Sequence, residues 1–156
     1  MYHSITIGEK NTWTDWHLIP SSRPHVALPT VNEKLVEIPG RSGSIDLTTF
    51  LTGSPTYGNR KGSWEFYISN DYFLYSDPKF VPNVANWKDW PTALKEIAAY
   101  CNGKVLSVTL EDDPDYYYRG RLKVKYSPQK DYSTVTIEYD LDPKKINSDD
   151  DSISYD

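Results

Sequence analysis

Apolar and polar residues alternate in short blocks along this chain, the two-residue period of half-buried β-strands. Residues 4–8 and 13–18 predict two strands at the start. Pro20, Pro24 and Pro29 follow, and because proline has no N–H to pair, residues 20–30 are expected to run as an extended loop. The period returns at 34–38 and 44–48, on either side of Pro39-Gly40-Arg41-Ser42-Gly43. The two glycines there supply the positive backbone angles that such a turn requires. Residues 52–59, with Gly53, Pro55 and Gly58, read as a second loop, and 63–69 as a strand with Trp64, Phe66 and Ile68 on one face. Residues 71–86, aromatic and interrupted by Pro78 and Pro82, fit an irregular insertion.

The period changes once to that of a helix. Leu94, Ile97, Ala98 and Cys101 fall at i, i+3, i+4 and i+7, Pro91 stands in the first turn and Gly103 just past the end, so a core-facing helix is predicted over 91–101. Three strands follow, at 105–110, 116–126 and 132–141. In the middle one Tyr118, Leu122, Val124 and Tyr126 share one face, and Tyr117, Arg119, Arg121, Lys123 and Lys125 the other. Pairing Tyr126 with Ser133 would set Leu122 against Ile137 and Val124 against Val135, burying both apolar sets. It would also set Arg121 against Glu138 and Arg119 against Asp140, neutralising the basic stripe within the sheet.

Composition narrows the function classes. The 156 residues make one domain, long enough to bury roughly 70% of its unfolded surface. Thirteen Tyr, five Trp and four Phe mean that much of the packing comes from amphipathic rings. Asp149, Asp150, Asp151 and Asp156 supply -4 of the formal charge of -5, leaving a nearly neutral body. A protein that neutralises many phosphates needs a basic face, so sequence-specific nucleic-acid binding is not expected. On composition, residues 144–156 read as a solvated, disordered acidic tail after a folded domain at 1–143. Cys101 is the only cysteine, which leaves no internal disulfide or cysteine cluster for zinc. The start lacks a basic segment followed by an apolar run, and no stretch of about 18 apolar residues occurs, so neither a signal peptide nor membrane insertion is expected.

Candidate chemistry is sparse. Glu111, Asp112, Asp113 and Asp115 are the only cluster suited to a hard cation, but they lack the bend glycine and closing Glu of a calcium loop. Asp side chains capping amides around Pro114 explain the cluster as a structural turn. Gly40-Arg41-Ser42-Gly43 has no following Lys and leads to a strand, so it is a turn and not a phosphate loop. His3, His17 and His25 show no ligand spacing, Cys101 reads as a packing residue with no base placed near it, and no nucleophile motif occurs. Neither catalysis, a metal nor a cofactor is expected. Trp13, Trp16, Trp64, Trp87 and Trp90 could serve sugar stacking, which keeps an aromatic-rich carbohydrate-binding β-sandwich module as an alternative.

Three runs in order carry a resemblance: residues 38–47 (Ile-Pro-Gly-Arg-Ser-Gly-Ser-Ile-Asp-Leu), residues 57–60 (Tyr-Gly-Asn-Arg), and residues 112–121 (Asp-Asp-Pro-Asp-Tyr-Tyr-Tyr-Arg-Gly-Arg). With the helix between the second and third, the chain over about residues 1–143 resembles the N-terminal domain of phage distal tail (Dit) proteins, tail-tip hubs of long-tailed phages and prophages. The resemblance implies a mainly β (α+β) fold, an antiparallel β-sandwich or barrel-like domain with one flanking α-helix, related to tail-tube proteins. It implies a homohexameric ring that continues the tail tube, surrounds the DNA channel and docks tail-tip or receptor-binding proteins. The setting implied is the virion tail tip, with assembly in the host bacterial cytoplasm. Many members carry a second, C-terminal domain for host binding, where this chain has the acidic segment. A tube or adaptor protein of a related injection system is the neighbouring alternative.

Interfaces between subunits favour Tyr and Arg. Arg41, Ser42, Gly43, Tyr57 and Arg60 are therefore candidate subunit contacts, with a purely intramolecular turn role as the equal alternative. Tyr117 is a candidate for packing against a neighbour or for simple exposure. Pro39, Gly40, Asp112, Asp113, Pro114 and Asp115 are assigned to structural turns.

Overall fold

The computed structural model describes residues 3–33, 35–47, 53, 55–69, 90–130 and 132–156. The insertion expected at 71–86, and Trp87 beyond it, lie outside these residues. The strands are β1 (Ile5–Ile7), β2 (Lys10–Asn11), β3 (Ile19–Pro20), β4 (Leu35–Glu37), β5 (Ser44–Asp46), β6 (Arg60–Ser69), β7 (Val105–Leu110), β8 (Asp113–Pro128), β9 (Tyr132–Leu141), β10 (Lys145–Asn147) and β11 (Ile153–Ser154), with helix α1 (Trp90–Cys101) between β6 and β7. The main sheet runs β2-β1-β7-β8-β9-β6-β3, with β10 against β8 and β11 against β10, while β4 and β5 form a separate two-stranded sheet. Each pairing is antiparallel. The fold is thus mainly β with one helix among the described residues, and the main sheet is open, not closed into a barrel.

Alternation decides what the sheet buries. Trp64, Phe66 and Ile68 of β6, Tyr118 and Leu122 of β8, and Val135, Ile137, Tyr139 and Leu141 of β9 all point inward and are buried. Helix α1 lays Ala93, Leu94, Ile97 and Cys101 on this face, and Ile5, Ile7, Trp16, Leu18, Val108 and Leu110 complete the core. Each large side chain so buried stabilises by about 1.5–3 kcal/mol. Ala93 replaces Ala98 in the predicted stripe, Ala98 being only half-buried. The helix ends as expected: Asn102 N–H donates to Ala98 C=O, and Gly103 takes a φ of 76°.

Three expectations are corrected. Residues 13–18 are not a strand. The Asn11 side-chain carbonyl accepts from the N–H groups of Trp13 (2.9 Å) and Thr14 (3.0 Å), and the Asp15 carboxylate accepts from Asn11 N–H (2.8 Å). These local bonds wind the chain into turns that still deliver Trp16 and Leu18 to the core.

The β8–β9 register is displaced by two residues. Tyr126 faces Val135, Val124 faces Ile137 and Leu122 faces Tyr139. A two-residue slip preserves every face, so the burial pattern alone could not fix it. Tyr126, at the far end of the strand, is 59% exposed and not core.

Third, residues 144–156 are ordered as a hairpin, with Ile146 opposite Ile153 and β10 pairing Tyr116 and Tyr117 of β8. Its acids crowd the tip, where Asn147 accepts from Asp149 N–H and Asp150 accepts from Ser152 N–H. Charge there marks the solvent side of a turn and not disorder.

Candidate assembly surfaces

The candidate contact residues range from exposed to fully buried. Arg41, Ser42 and Gly43 form the tip of the β4–β5 hairpin and are exposed. Pro39 and Gly40 make the first turn, closed by Arg41 N–H donating to Ile38 C=O (3.1 Å), and Gly40 and Gly43 take φ of 79° and 82°. The hairpin pairs Leu35 with Asp46, Val36 with Ile45 and Glu37 with Ser44. All three residues of β4 are exposed, and a cleft of about 540 Å³ opens along Glu37, Ile38, Arg41 and Ser44.

Arg60 is the opposite case. Its position at the start of β6 puts it on the same face as Trp64 and Phe66, and it is 1% exposed. The guanidinium donates to the backbone carbonyls of Pro143 (2.9 Å), Ala27 (3.1 Å) and Asp156 (3.2 Å) and lies 5.2 Å from the Tyr118 ring centre. Burial lowers its pKa, and in turn burial raises that of Tyr118. Arg60 therefore fastens the proline-rich loop and the C-terminal segment to the sheet, and is closed to a neighbouring subunit.

Tyr57 and Tyr117 are half-buried against other parts of the chain. Tyr57 bridges Val31 and stacks on Tyr155 with ring centres 5.1 Å apart at 21°. Tyr117 is half-buried because Ile146 of β10 lies against it. Beside it, Lys145 sits 4.5 Å over the Tyr116 ring. Sequence alternation carried the signal for Arg60, since residues 60, 64, 66 and 68 share a parity, whereas the short β10 and β11 offered only Ile146, Ile153 and Tyr155.

The acidic run serves the fold. Glu111 and Asp112 form the β7–β8 turn, while Asp113, Pro114 and Asp115 already lie in β8. There the pairing with β7 slips between Val108 and Leu110, and such an irregularity accommodates a proline that cannot donate to the ladder. Glu111 accepts from Ser4 N–H (2.6 Å) and Ser4 Oγ (3.0 Å). Asp112 accepts from Arg23 Nε (2.7 Å) and contacts His3 Nδ1 (3.0 Å), and these partners bring its pKa down to about 2. Glu111 and Asp112 thereby clasp the N-terminal segment and the proline-rich loop, and among the described residues no three metal-ligating side chains converge.

Other candidate groups are internal too. Burial pushes the Cys101 thiol up to about 12, so at neutral pH it is a packed, un-ionised side chain. Trp16 and Trp64 are buried, and Trp64 donates to His25 C=O (2.8 Å), which removes both from any sugar platform. On the outer face Arg121 stands opposite Asp140 and Lys123 opposite Glu138, while the ion pair formed is Lys125–Glu138 (2.8 Å). Arg121 donates to Gly103 C=O instead. The expected neutralisation of the stripe is thus partial and differently partnered.

Neither a protein-family model nor a curated protein matches the sequence. Among solved structures, the chain is similar to SPP1 Dit (gp 19.1), described as a paradigm of the hub adsorption apparatus in phages infecting Gram-positive bacteria. The TM-score is 0.63 over 94% of this chain, at 11% identity. This chain has a Dit-like fold. It spans about half the length of SPP1 Dit, matching 53% of it. Among the candidate contact residues, Arg41, Ser42 and Gly43 are exposed, Tyr57 and Tyr117 half-buried and Arg60 buried.

Proposed function

We propose that the chain is the ring-forming domain of a phage tail hub, a distal tail protein that joins the tail tube to the tail tip and surrounds the DNA channel. The observation that carries the proposal is the likeness in fold to SPP1 Dit across nearly the whole chain. The three sequence runs at 38–47, 57–60 and 112–121 support it independently of the fold. In this reading the subunits form a homohexamer, and the partners are the tail-tube protein and tail-tip or receptor-binding proteins. The protein is assembled in the host bacterial cytoplasm and resides at the virion tail tip. Its role is architectural: the polar side chains that could do chemistry are engaged in turns, strand clasps and ion pairs.

Mass photometry and negative-stain imaging test this on purified protein, alone and co-expressed with the tail-tube protein of the same gene cluster. Six-fold rings are expected, alone at high concentration or with the tube protein. A strict monomer that binds neither tube nor tip proteins contradicts the proposal.

A further inference from the structure

Two incomplete features face solvent on the same chain. One is the β4–β5 hairpin. A two-stranded hairpin is at best marginal in water, and this one has three residues per strand with Leu35 56%, Val36 39% and Ile38 40% exposed. Leu35 and Val36 point to opposite faces, so each side of the ribbon carries a part-exposed apolar group. The other is a groove of about 250 Å³ between α1 and β8, lined by Pro91, Leu94, Lys95, Ala98 and Tyr126.

The groove borders a strand edge that is only partly paired by the described residues. Arg119 C=O accepts from Asp142 N–H on the β9 side, so alternation turns the even residues of β8 to the other side. There Leu122 bonds Lys104 and Gly103, and Val124 N–H is capped by the Asn102 side chain (3.0 Å). Beyond Val124 no described residue pairs with this edge, which leaves the N–H and C=O of Tyr126 facing outward.

We infer that the β4–β5 hairpin of one copy docks in the α1–β8 groove of the next. Leu35 or Val36, with Ile38, fills the apolar groove, a hairpin edge runs beside Tyr126, and Glu37 meets Lys95. The occupant is a second copy because this chain supplies both halves: an apolar ribbon bearing an exposed Glu, and an apolar groove bearing an exposed Lys. A contact between two different patches is head-to-tail, and repetition closes it into a ring when the rotation allows. The inference rests on the ring reading above and names the surfaces that would build it.

The test uses the full chain and two variants at exposed positions, Ile38→Glu on the hairpin and Tyr126→Glu on the groove. Their folding is checked by circular dichroism and tryptophan fluorescence. Mass photometry under conditions where the unmodified protein forms rings should show each variant as a monomer. An equal mixture should give dimers and nothing larger, because one intact hairpin meets one intact groove. Rings formed by either folded variant overturn this interface while leaving the ring reading intact. An unmodified protein that never assembles, even with its tube partner, overturns the ring reading and this contact with it.

Discussion

Two hairpins of similar size have opposite fates in this molecule. The C-terminal pair β10–β11 is closed: β10 adds to the edge of β8, Tyr155 stacks on Tyr57, and Arg60 takes the Asp156 carbonyl. The pair β4–β5 is open: among the described residues it has no strand partner beyond itself, and Leu35, Val36 and Ile38 are part-exposed. Their sequences suggest the reverse, since the closed one is the more acidic and the open one carries Leu, Val and Ile. What orders the C-terminal hairpin is the edge it finds, and the β4–β5 hairpin is where the proposed contact between copies would supply one.

The largest effect that would break the contrast comes from Arg60→Ala. It removes three bonds from a buried cation and leaves the Ala27, Pro143 and Asp156 carbonyls without that donor. A loss on the order of 3 kcal/mol is expected in urea denaturation, with the C-terminal segment released first under limited proteolysis. Arg60→Lys should recover little, since an ammonium cannot present the planar fork. Wild-type stability in the alanine variant would mean that the staple contributes nothing.

Next in size is a pair of glycines. A Cβ on Gly120 would run into the backbone of Asp140 and Leu141, whereas one on Gly43 meets nothing within 4 Å and is opposed only by the φ of 82°. Gly120→Ala should cost about 1–3 kcal/mol through displacement of β9, and Gly43→Ala about 1 kcal/mol or less because the free hairpin can refold around it. Chemical denaturation of both variants orders the two costs; the reverse order would place the constraint in the hairpin.

Smaller still is Tyr155→Ala, which removes one ring of the stack and should cost about 0.5–1.5 kcal/mol in the same assay. Leu35→Ser gives the complementary result, a change within about 0.5 kcal/mol for the monomer, because Leu35 buries little there. A large loss would show that the hairpin packs against its own chain.

The smallest effect is on pH dependence. Asp112 has its native pKa depressed to about 2 by Arg23 and His3, so its stabilising contribution is present above the ordinary carboxylate value near 3.8 and lost as pH falls toward 2. Asp112→Asn should remove that contribution at neutral pH and flatten the stability curve in that window, so that the variant and the unmodified protein converge only toward pH 2. An unaltered acid limb would show that the clasp does not couple to folding.

Much of the body was legible in the sequence. The alternation Trp64-Phe66-Ile68, the block 105–110 and the helix over 91–101 each bury one face against a continuous core, and there pattern and structure coincide. Residues 13–18 misled because three local side-chain bonds from Asn11 and Asp15 outcompeted an alternation that a strand would share. The register slip escaped because a two-residue shift leaves the pattern unchanged. The C-terminal hairpin escaped because composition reports the solvent side of a turn, while the order comes from Tyr116, Tyr117 and Arg60 far back in the chain. Of the candidate contact residues, those in the motif at 38–47 lie on an exposed hairpin, whereas Arg60 is buried and Tyr57 and Tyr117 are half-buried against partners distant in sequence.

Hydrogen–deuterium exchange of the free protein and of the assembled ring tests the central contrast most directly. Amides of Leu35–Glu37 and Ser44–Asp46 should exchange rapidly in the monomer and become protected on assembly, while those of β10 remain protected in both states. Protection of β4–β5 in the monomer, or equally fast exchange of that hairpin in the ring, would contradict the account.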